Sequence, residues 1–188
     1  EWACALNNQD LLRKIPYTEL CQSDSEQSFA HVAAEHGHEE VLEFLHEVVP
    51  GALKAADDNG RFPAHVAAMN SHEEVLEFLH EVVPETLKVP DGFGWLPAHL
   101  AAQNGHERVL QFLHEAVPET LKAATQNGCL PAHLAAENDH GGVLEFLYEV
   151  VPQTLKAANR DGQLPAHLPL TVATKKYSNF STRWFLKH

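Results

Sequence analysis

The sequence has no long apolar run and few cysteines. No stretch approaches the ~20 apolar residues that a membrane span needs, and no charged segment followed by an apolar one opens the chain as a secretory leader would. The three cysteines, Cys4, Cys21 and Cys129, are odd in number and scattered. This argues against a disulfide framework and predicts a reducing, cytoplasmic compartment. Because the first residue is Glu1 and not methionine, we interpret the sequence as a piece of a longer one.

Basic residues are also scarce. Thirteen Lys and Arg stand against 26 Asp and Glu, which gives a formal net charge of −13. Nucleic acids and anionic membranes are held mainly by basic patches that attract phosphate. We therefore expect neither nucleic acid nor membrane as a partner. The 44% of apolar residues is enough for a buried core.

The sequence does contain a repeat with a period of 34 residues. The block Pro-Ala-His-(Val/Leu)-Ala-Ala occurs three times, preceded by a variant with Phe in place of Pro and followed by a truncated copy. The copies begin at Phe29, Pro63, Pro97, Pro131 and Pro165. Each of the first four is followed by a second block of the type Val-Leu-Glu-Phe-Leu-His-Glu, at Val41, Val75, Val109 and Val143. A fixed period of this length predicts a stack of small identical units.

One unit, residues 57–90, shows the expected structure. Asp57-Asp58-Asn59-Gly60 is typical of a tight turn, and Pro63 sits where a helix would begin. A second helix is predicted from about His72, because apolar residues recur at helical spacing while glutamates occupy the other face. The apolar residues are Val75, Leu76, Phe78, Leu79, Val82 and Val83. Pro84 is expected to end that helix. The unit is thus a turn, a short helix, a longer antiparallel helix and a returning loop.

This pattern resembles the ankyrin repeat, whose signature is roughly D-x-x-G-x-T-P-L-H-x-A-A-x-x-G-H-x-x-V-V-x-x-L-L. Matching residues in one unit are Asp57, Gly60, Pro63, His65, Ala67, Ala68, His72, Val75, Leu76 and Leu79. The resemblance covers about residues 23 to 168 and implies an all-α, ankyrin-like solenoid of stacked helix-turn-helix repeats with hairpin tips. Phe or Leu replaces the Thr before Pro, and Ala replaces the Leu after it. We expect this exchange to conserve core volume and to abolish the family's Thr-to-His hydrogen bond.

The domain prediction follows from the repeat. Residues 1–22 are expected to form an amino-terminal capping half-repeat, followed by four repeats at 23–56, 57–90, 91–124 and 125–158. Residues 159–188 form an imperfect fifth repeat or a carboxyl-terminal cap. Pro169 would interrupt its first helix. The aromatic residues beyond it fit either an amphipathic capping helix or a boundary where the sequence leaves the array.

Fourteen histidines suggest a metal-binding protein as an alternative. Most fall on three ladders of period 34, which begin at His31, His38 and His46. Stacked helices lie about 8 to 10 Å apart, whereas two nitrogens on one zinc ion must lie within roughly 4 Å of each other. The first two ladders match structural histidines of the family. We therefore predict no bound metal and no cofactor.

Signals of an enzyme are missing. No Ser, Cys or Lys lies in a recognisable nucleophile motif, and the glutamates follow a solvated helix face. Cys129 occupies a turn position that should be exposed, and we interpret it as an ordinary cysteine rather than a reactive one. We expect no catalysis.

The positions that vary among otherwise constant copies are the candidate site. In ankyrin-like stacks, turn tips and the ends of short helices line a concave surface that grips protein partners. Phe93 and Trp95 are the aromatic pair among these positions, and such residues typically anchor interfaces; the alternative is that Trp95 packs on a neighbouring tip. The predicted partner-binding residues are Arg61, Met69, Asn70, Phe93, Trp95, Gln103, Asn104, Asn127 and Cys129.

The resemblance therefore implies a monomeric module that binds a partner protein of unknown identity. Two alternatives remain. The chain could be a structural or regulatory segment of a larger enzyme, channel or secreted effector, in which last case it would be delivered into a host cell. It could also be a histidine-rich metal-binding protein.

Overall fold

The chain folds into short and long α-helices that alternate along the sequence. The computed structural model describes Asn7 and residues 28–165. Within residues 28–165 there are eight α-helices and no strand. They are α1 (Phe29–Glu35), α2 (Glu39–Val48), α3 (Pro63–Met69), α4 (Glu73–Val82), α5 (Pro97–Gln103), α6 (Glu107–Ala116), α7 (Pro131–Glu137) and α8 (Gly141–Val150).

The helices belong to two compact units, Glu1–Pro97 and Ala98–His188. In the first unit α1 packs against α3, and α2 against α4. In the second unit α8 packs against both α6 and α7. In each unit the helices that pack together are neighbours in the sequence or correspond in consecutive repeats. The fold is thus the all-α repeat fold that the sequence predicts.

Short helices begin at proline and present small residues to their neighbours. Pro63 is the first residue of α3, where its missing N–H group leaves no hydrogen bond unmade. Ala64, Ala67 and Ala68 are fully buried, as are their equivalents in α5 and α7. The large residue before each proline is also buried at Leu96 and Leu130, which fits the predicted exchange of large and small side chains.

Long helices bury one apolar face. In α4 that face is Val75, Leu76 and Leu79, all with no solvent exposure, whereas Glu74, Glu77 and Glu81 are exposed. Full burial of one such side chain contributes roughly 1.5–3 kcal/mol relative to leaving it in water. The hydrophobic pattern therefore predicted most of the buried face, but Phe78 and Val82, which were predicted with it, are only half-buried.

The segment after each long helix is more regular than the predicted loop. It forms a short 3₁₀ helix, at Ala52–Lys54, Pro84–Leu87, Pro118–Lys122 and Pro152–Lys156. One leucine of each such segment is buried, at Leu53, Leu87, Leu121 and Leu155. Thr86 adds a feature that we did not predict, since its buried hydroxyl donates to the Val83 carbonyl at 2.9 Å. Thr120 and Thr154 repeat this bond.

Two predictions concern the ends of the array. The amino-terminal cap at 1–22 and the cap or fifth repeat at 159–188 lie largely outside the described residues, and Pro169 lies there too. The last described long helix, α8, begins with two glycines, Gly141 and Gly142. It nevertheless extends for ten residues.

None of the helices in the described part of the chain is long and apolar enough to cross a membrane, since they have seven or ten residues each.

Candidate functional site

A hairpin tip precedes each short helix after the first. In the tip at residues 57–61, the Asp57 N–H donates to the Arg61 carbonyl and the Gly60 N–H donates to the Asp57 carbonyl, each at 2.8 Å. Gly60 has a φ of 76°, which glycine adopts without steric cost. The same two bonds close the tips that begin at Asp91, Thr125 and Asn159. Each tip is therefore a tight, internally bonded turn.

The first residue of each tip holds the turn with its side chain as well. Asp57 Oδ1 accepts the N–H groups of Asn59 and Arg61 at 2.9 and 2.8 Å, and its Oδ2 accepts Arg61 Nε at 2.8 Å. Burial raises the pKa of the Asp57 carboxyl, but hydrogen bonds and the positive charge of Arg61 outweigh burial and hold it below its usual value. Asp91 accepts the Phe93 and Trp95 N–H groups in the same way, at 2.9 and 2.8 Å.

Consecutive tips within a unit are joined by a backbone bond. In the first unit the Gly92 N–H donates to the Asn59 carbonyl at 2.8 Å. A Cβ atom on Gly92 would lie 2.7 Å from that oxygen, so the close approach requires glycine. In the second unit the Arg160 N–H donates to the Asn127 carbonyl at 3.1 Å. The tips are thus fixed to their neighbours and not only to themselves.

The first histidine ladder ties each short helix to the tip that follows it. His65 Nδ1 accepts the Phe62 N–H at 3.1 Å, and its Nε2 donates to the Trp95 carbonyl at 3.0 Å. His133 makes the same pair of bonds, to Leu130 N–H and the Gln163 carbonyl. These partners define a neutral ring with its proton on Nε2. The ladder is structural, as predicted.

These bonds refine the prediction that the Thr-to-His hydrogen bond of the family is lost. The residue that replaces Thr keeps a bond to the ring through its backbone N–H, as Phe62 does. In the first repeat Ser28 stands at this position, and its hydroxyl lies 2.7 Å from His31 Nδ1. The hydroxyl bond is therefore absent at Phe62 and Leu130 but present at Ser28.

Burial lowers the pKa of these rings. Desolvation outweighs the hydrogen bond to the Trp95 carbonyl and brings the pKa of His65 down to about 4. Burial likewise lowers the pKa of His31 and of His133. The ring nitrogens of His65 already have hydrogen-bond partners, so this residue offers neither a metal ligand nor a free base.

The second ladder lies at the turn between short and long helices. His72 Nε2 lies 2.8 Å from the Glu35 carbonyl, and His140 Nε2 lies 2.8 Å from the Gln103 carbonyl. A Cβ atom on Gly37 would lie 2.5 Å from His72 Nδ1, so that turn needs glycine for space as well as for its φ of 72°.

The third ladder, His46, His80 and His114, is half-buried on the long helices. The His46 ring meets the Phe78 ring edge to face at 6.4 Å, and His114 meets Phe146 at 6.1 Å. Within the described residues, no three His, Cys, Asp or Glu side chains are grouped closely enough to hold a metal ion.

In the first unit, the predicted site residues fall into two groups. Phe93, Trp95 and Arg61 belong to joined tips; Phe93 is 63% exposed, whereas Trp95 is half-buried. Arg61 forms an ion pair with Asp57, with 2.7 Å between Nη2 and Oδ2, and its side chain is only 22% exposed. Met69 and Asn70 lie at the other end of α3, about 9 Å along its axis from Pro63.

Asn70 also has a structural role. Its Nδ2 donates to the Val66 carbonyl at 2.9 Å, which satisfies a carbonyl near the end of α3. Asn104 and Asn138 do the same for α5 and α7. Because this asparagine recurs in three repeats, the sequence itself indicated that its role is structural.

In the second unit, Asn104 and Asn127 are exposed and Gln103 is half-buried. The expectation that Cys129 is exposed is wrong: it is half-buried, and Asn159 Nδ2 of the next tip lies 3.8 Å from its Sγ. The close joining of consecutive tips covers this position.

One residue of the candidate surface was missed. Val89 is 39% exposed, and with Phe93 it is the only large hydrophobic residue exposed among the described residues. The signal was available, since Val89-Pro90 replaces an Ala-Ala pair found at 55–56, 123–124 and 157–158.

Comparison with known proteins identifies the family. A search of curated proteins returned no match for the chain. A family model described as ankyrin repeats (three copies) matches residues 1–85 and again residues 80–158, so the match begins upstream of the residue 23 at which the resemblance was placed. Such repeats are generally protein-protein interaction modules and are typically non-catalytic. The chain belongs to the ankyrin repeat family.

Proposed function

We propose that the chain binds a partner protein through its hairpin tips and short helices, and that Phe93 and Trp95 anchor the partner in the first unit. The observation that carries this proposal is the 63% exposure of Phe93 on a tip whose backbone is fixed by hydrogen bonds. A large aromatic group exposed to water is a typical interface anchor. Because the tip is already ordered, binding loses little conformational entropy.

The half-buried state of Trp95 refines the roles within the pair. Phe93 is the more exposed of the two, and Trp95 is half-buried while its backbone carbonyl accepts a hydrogen bond from His65 Nε2. The other proposed contacts with the partner in the first unit remain Arg61, Met69 and Asn70. Those in the second unit remain Gln103, Asn104, Asn127 and Cys129. We expect Asn70 and Asn104 to contribute less to the binding free energy than the other contacts, because their amides already cap helices.

We further propose that the chain acts as a monomer without catalysis, cofactor or metal, in a reducing cytoplasmic compartment. Its net charge of −13 supports a protein partner over nucleic acid or an anionic membrane. The bonds made by both ring nitrogens of His65 and His133 support a structural rather than a catalytic role for the buried histidines.

The double variant Phe93→Ala with Trp95→Ala tests the proposal. Affinity capture with the wild-type chain and mass spectrometry identify the partner, and titration calorimetry then compares the variants. We expect the double variant to lose about 2 kcal/mol or more of binding free energy, as buried interface aromatics do.

The control is Gln111→Ala, at an exposed and uncharged position of the long helix α6, outside the hairpin tips and short helices. Urea unfolding of each variant separates binding from folding, since Trp95 is half-buried. A double variant that binds its partner with unchanged affinity but unfolds more easily would show that the aromatic pair serves packing alone.

A further inference from the structure

One tip of the first unit differs from the others by being apolar. We define the apolar tip as Val89, Pro90, Phe93 and Trp95. The equivalent positions in the preceding repeat are Ala55, Ala56, Asn59 and Arg61, and in the following repeat Ala123, Ala124, Asn127 and Cys129. All four replacements occur within seven residues and increase apolar surface. They include both large hydrophobic residues that are exposed in the described part of the chain.

The apolar tip is held in place from within. Asp91 Oδ1 accepts the N–H groups of Phe93 and Trp95, and the Gly92 N–H donates to the Asn59 carbonyl. The backbone that carries the exposed side chains is therefore ordered before any partner binds. A preformed apolar surface of this kind fits one or two apolar side chains of a partner.

The first unit, to which the apolar tip belongs, carries a strongly negative charge. Residues 28–97 contain thirteen Asp and Glu against three Lys and Arg, a formal net charge of −10. Among the cations, Arg61 is paired with Asp57 and Lys54 with Glu85, each at 2.7 Å. Burial, and then the carboxylates of Glu43 and Glu40, raise the pKa of Glu39, as expected in a field of negative charge.

We propose that the apolar tip binds an apolar side chain presented by a lysine- or arginine-rich segment of the partner protein. The inference rests on the proposed function and adds the partner's chemistry. Complementary charge draws a basic segment towards the first unit and repels an acidic one, and the apolar tip then holds the anchor side chain. Charge alone would attract any polycation, so the apolar contact supplies the selectivity.

Three labelled peptides test the inference by fluorescence anisotropy against the full chain. The first alternates Lys and Ser around a central Leu-Phe pair, the second has Glu for every Lys, and the third has Ser-Ser for Leu-Phe. We expect the first to bind at least about tenfold more tightly than either of the others, a difference of about 1.4 kcal/mol. Its affinity should fall as salt is raised.

The variant Phe93→Ser identifies the surface, and Gln111→Ser, at an exposed and uncharged position of the long helix α6, is the control. Phe93→Ser should weaken the first peptide by about tenfold and leave the third unchanged, and Gln111→Ser should alter neither. An acidic peptide that binds as tightly as the basic one, or no detectable binding of the basic apolar peptide, would overturn the partner class. Unchanged binding to Phe93→Ser would overturn the surface.

These outcomes are separate from the test of the proposed function. If the captured partner loses affinity for the Phe93 and Trp95 double variant but the first peptide does not bind, the anchor stands and the basic partner is wrong. If the captured partner binds the double variant normally, the anchor itself is wrong.

Discussion

His65 shows how one residue can link the fold to pH. Its ring accepts a backbone N–H at Nδ1 and donates at Nε2, so a second proton on Nδ1 would face a donor and break the bond to Phe62. The carboxylates of Asp91 and Asp57 favour the charged ring and Arg61 opposes it, but burial dominates and brings the pKa to about 4. The unfolded chain, with an ordinary pKa of 6.5, therefore binds this proton more readily than the folded chain does.

The free energy of unfolding should consequently fall as the pH drops. The contribution of His65 is complete above about pH 6.5 and is lost towards about pH 4, and at 1.36 kcal/mol per pKa unit it amounts to at most about 3 kcal/mol. Urea unfolding at a series of pH values measures this loss. The variant His65→Asn should be less stable at neutral pH and show a shallower decline. A stability that is the same at pH 7 and near pH 4 would contradict the assignment.

Ser71 occupies a backbone conformation that favours glycine. Its φ is 66°, and the equivalent residues in two other repeats are Gly37 and Gly105, with φ of 72° and 76°. A side chain in the left-handed region costs roughly 1–2 kcal/mol, partly offset by the larger unfolded-state entropy of glycine. Ser71→Gly should therefore raise the free energy of unfolding by up to about 1 kcal/mol.

The reverse exchange supplies the comparison. Gly37→Ala should destabilise the chain, because its Cβ would lie 2.5 Å from His72 Nδ1 and its φ is positive. Chemical unfolding followed by circular dichroism measures both variants. If Ser71→Gly is less stable than the wild type, the turn is not strained by serine.

At the scale of the element, α8 is the long helix with the weakest start. Gly141 and Gly142 open it, where α2 and α4 open with a Glu-Glu pair. Replacing both with Ala should raise stability by up to about 1 kcal/mol each. The new Cβ at Gly142 would approach only Glu107 Oε2, at 3.0 Å, and that flexible side chain can move away.

Hydrogen exchange provides the measurement for this change. Amides of 141–150 should exchange more slowly in the double Ala variant, while those of α4, in the other unit, should be unaffected. Equal exchange in wild type and variant would show that packing against α6 and α7 already fixes the start of α8.

The elements were predictable to different degrees. Pro63 and the apolar positions of α4 are local signals, so the helix start and the buried face follow from the sequence. The 3₁₀ helix at Pro84–Leu87 does not follow from the hydrophobic pattern. A buried hydroxyl bond from Thr86 accompanies it, whereas the one at Ala52–Lys54 forms with Ala52 at the equivalent position. In the same way, the half-burial of Cys129 depends on Asn159, which lies 30 residues away.

At the scale of the whole molecule, a high histidine content does not by itself indicate a metal-binding protein. The first ladder uses its ring nitrogens in backbone bonds, as at His65 and His133, and a metal would have to displace those bonds. Calorimetric titration of untagged protein with zinc should therefore show no tight stoichiometric site. A submicromolar site that disappears when one ladder is replaced with Asn would contradict this.

The sequence predicted the exposure and the bonding of the candidate site residues only in part. Variation among repeats identified Phe93, which is exposed, and overlooked Val89 because the tip was taken too narrowly. Asn70 was chosen although it recurs, and it caps a helix. Whether a variable residue faces water or a neighbour is decided by contacts between repeats, which one repeat's sequence does not contain.

The bonds of the first ladder end on main-chain oxygens at Arg61, Trp95, Cys129 and Gln163. Every amino acid carries that oxygen, and every one except proline carries the N–H that each tip also uses. A point mutation at any of these codons, except one to proline, thus leaves these backbone bonds in place while changing the side chain. Natural selection can therefore alter what the array recognises one residue at a time, without first finding a compensating mutation elsewhere.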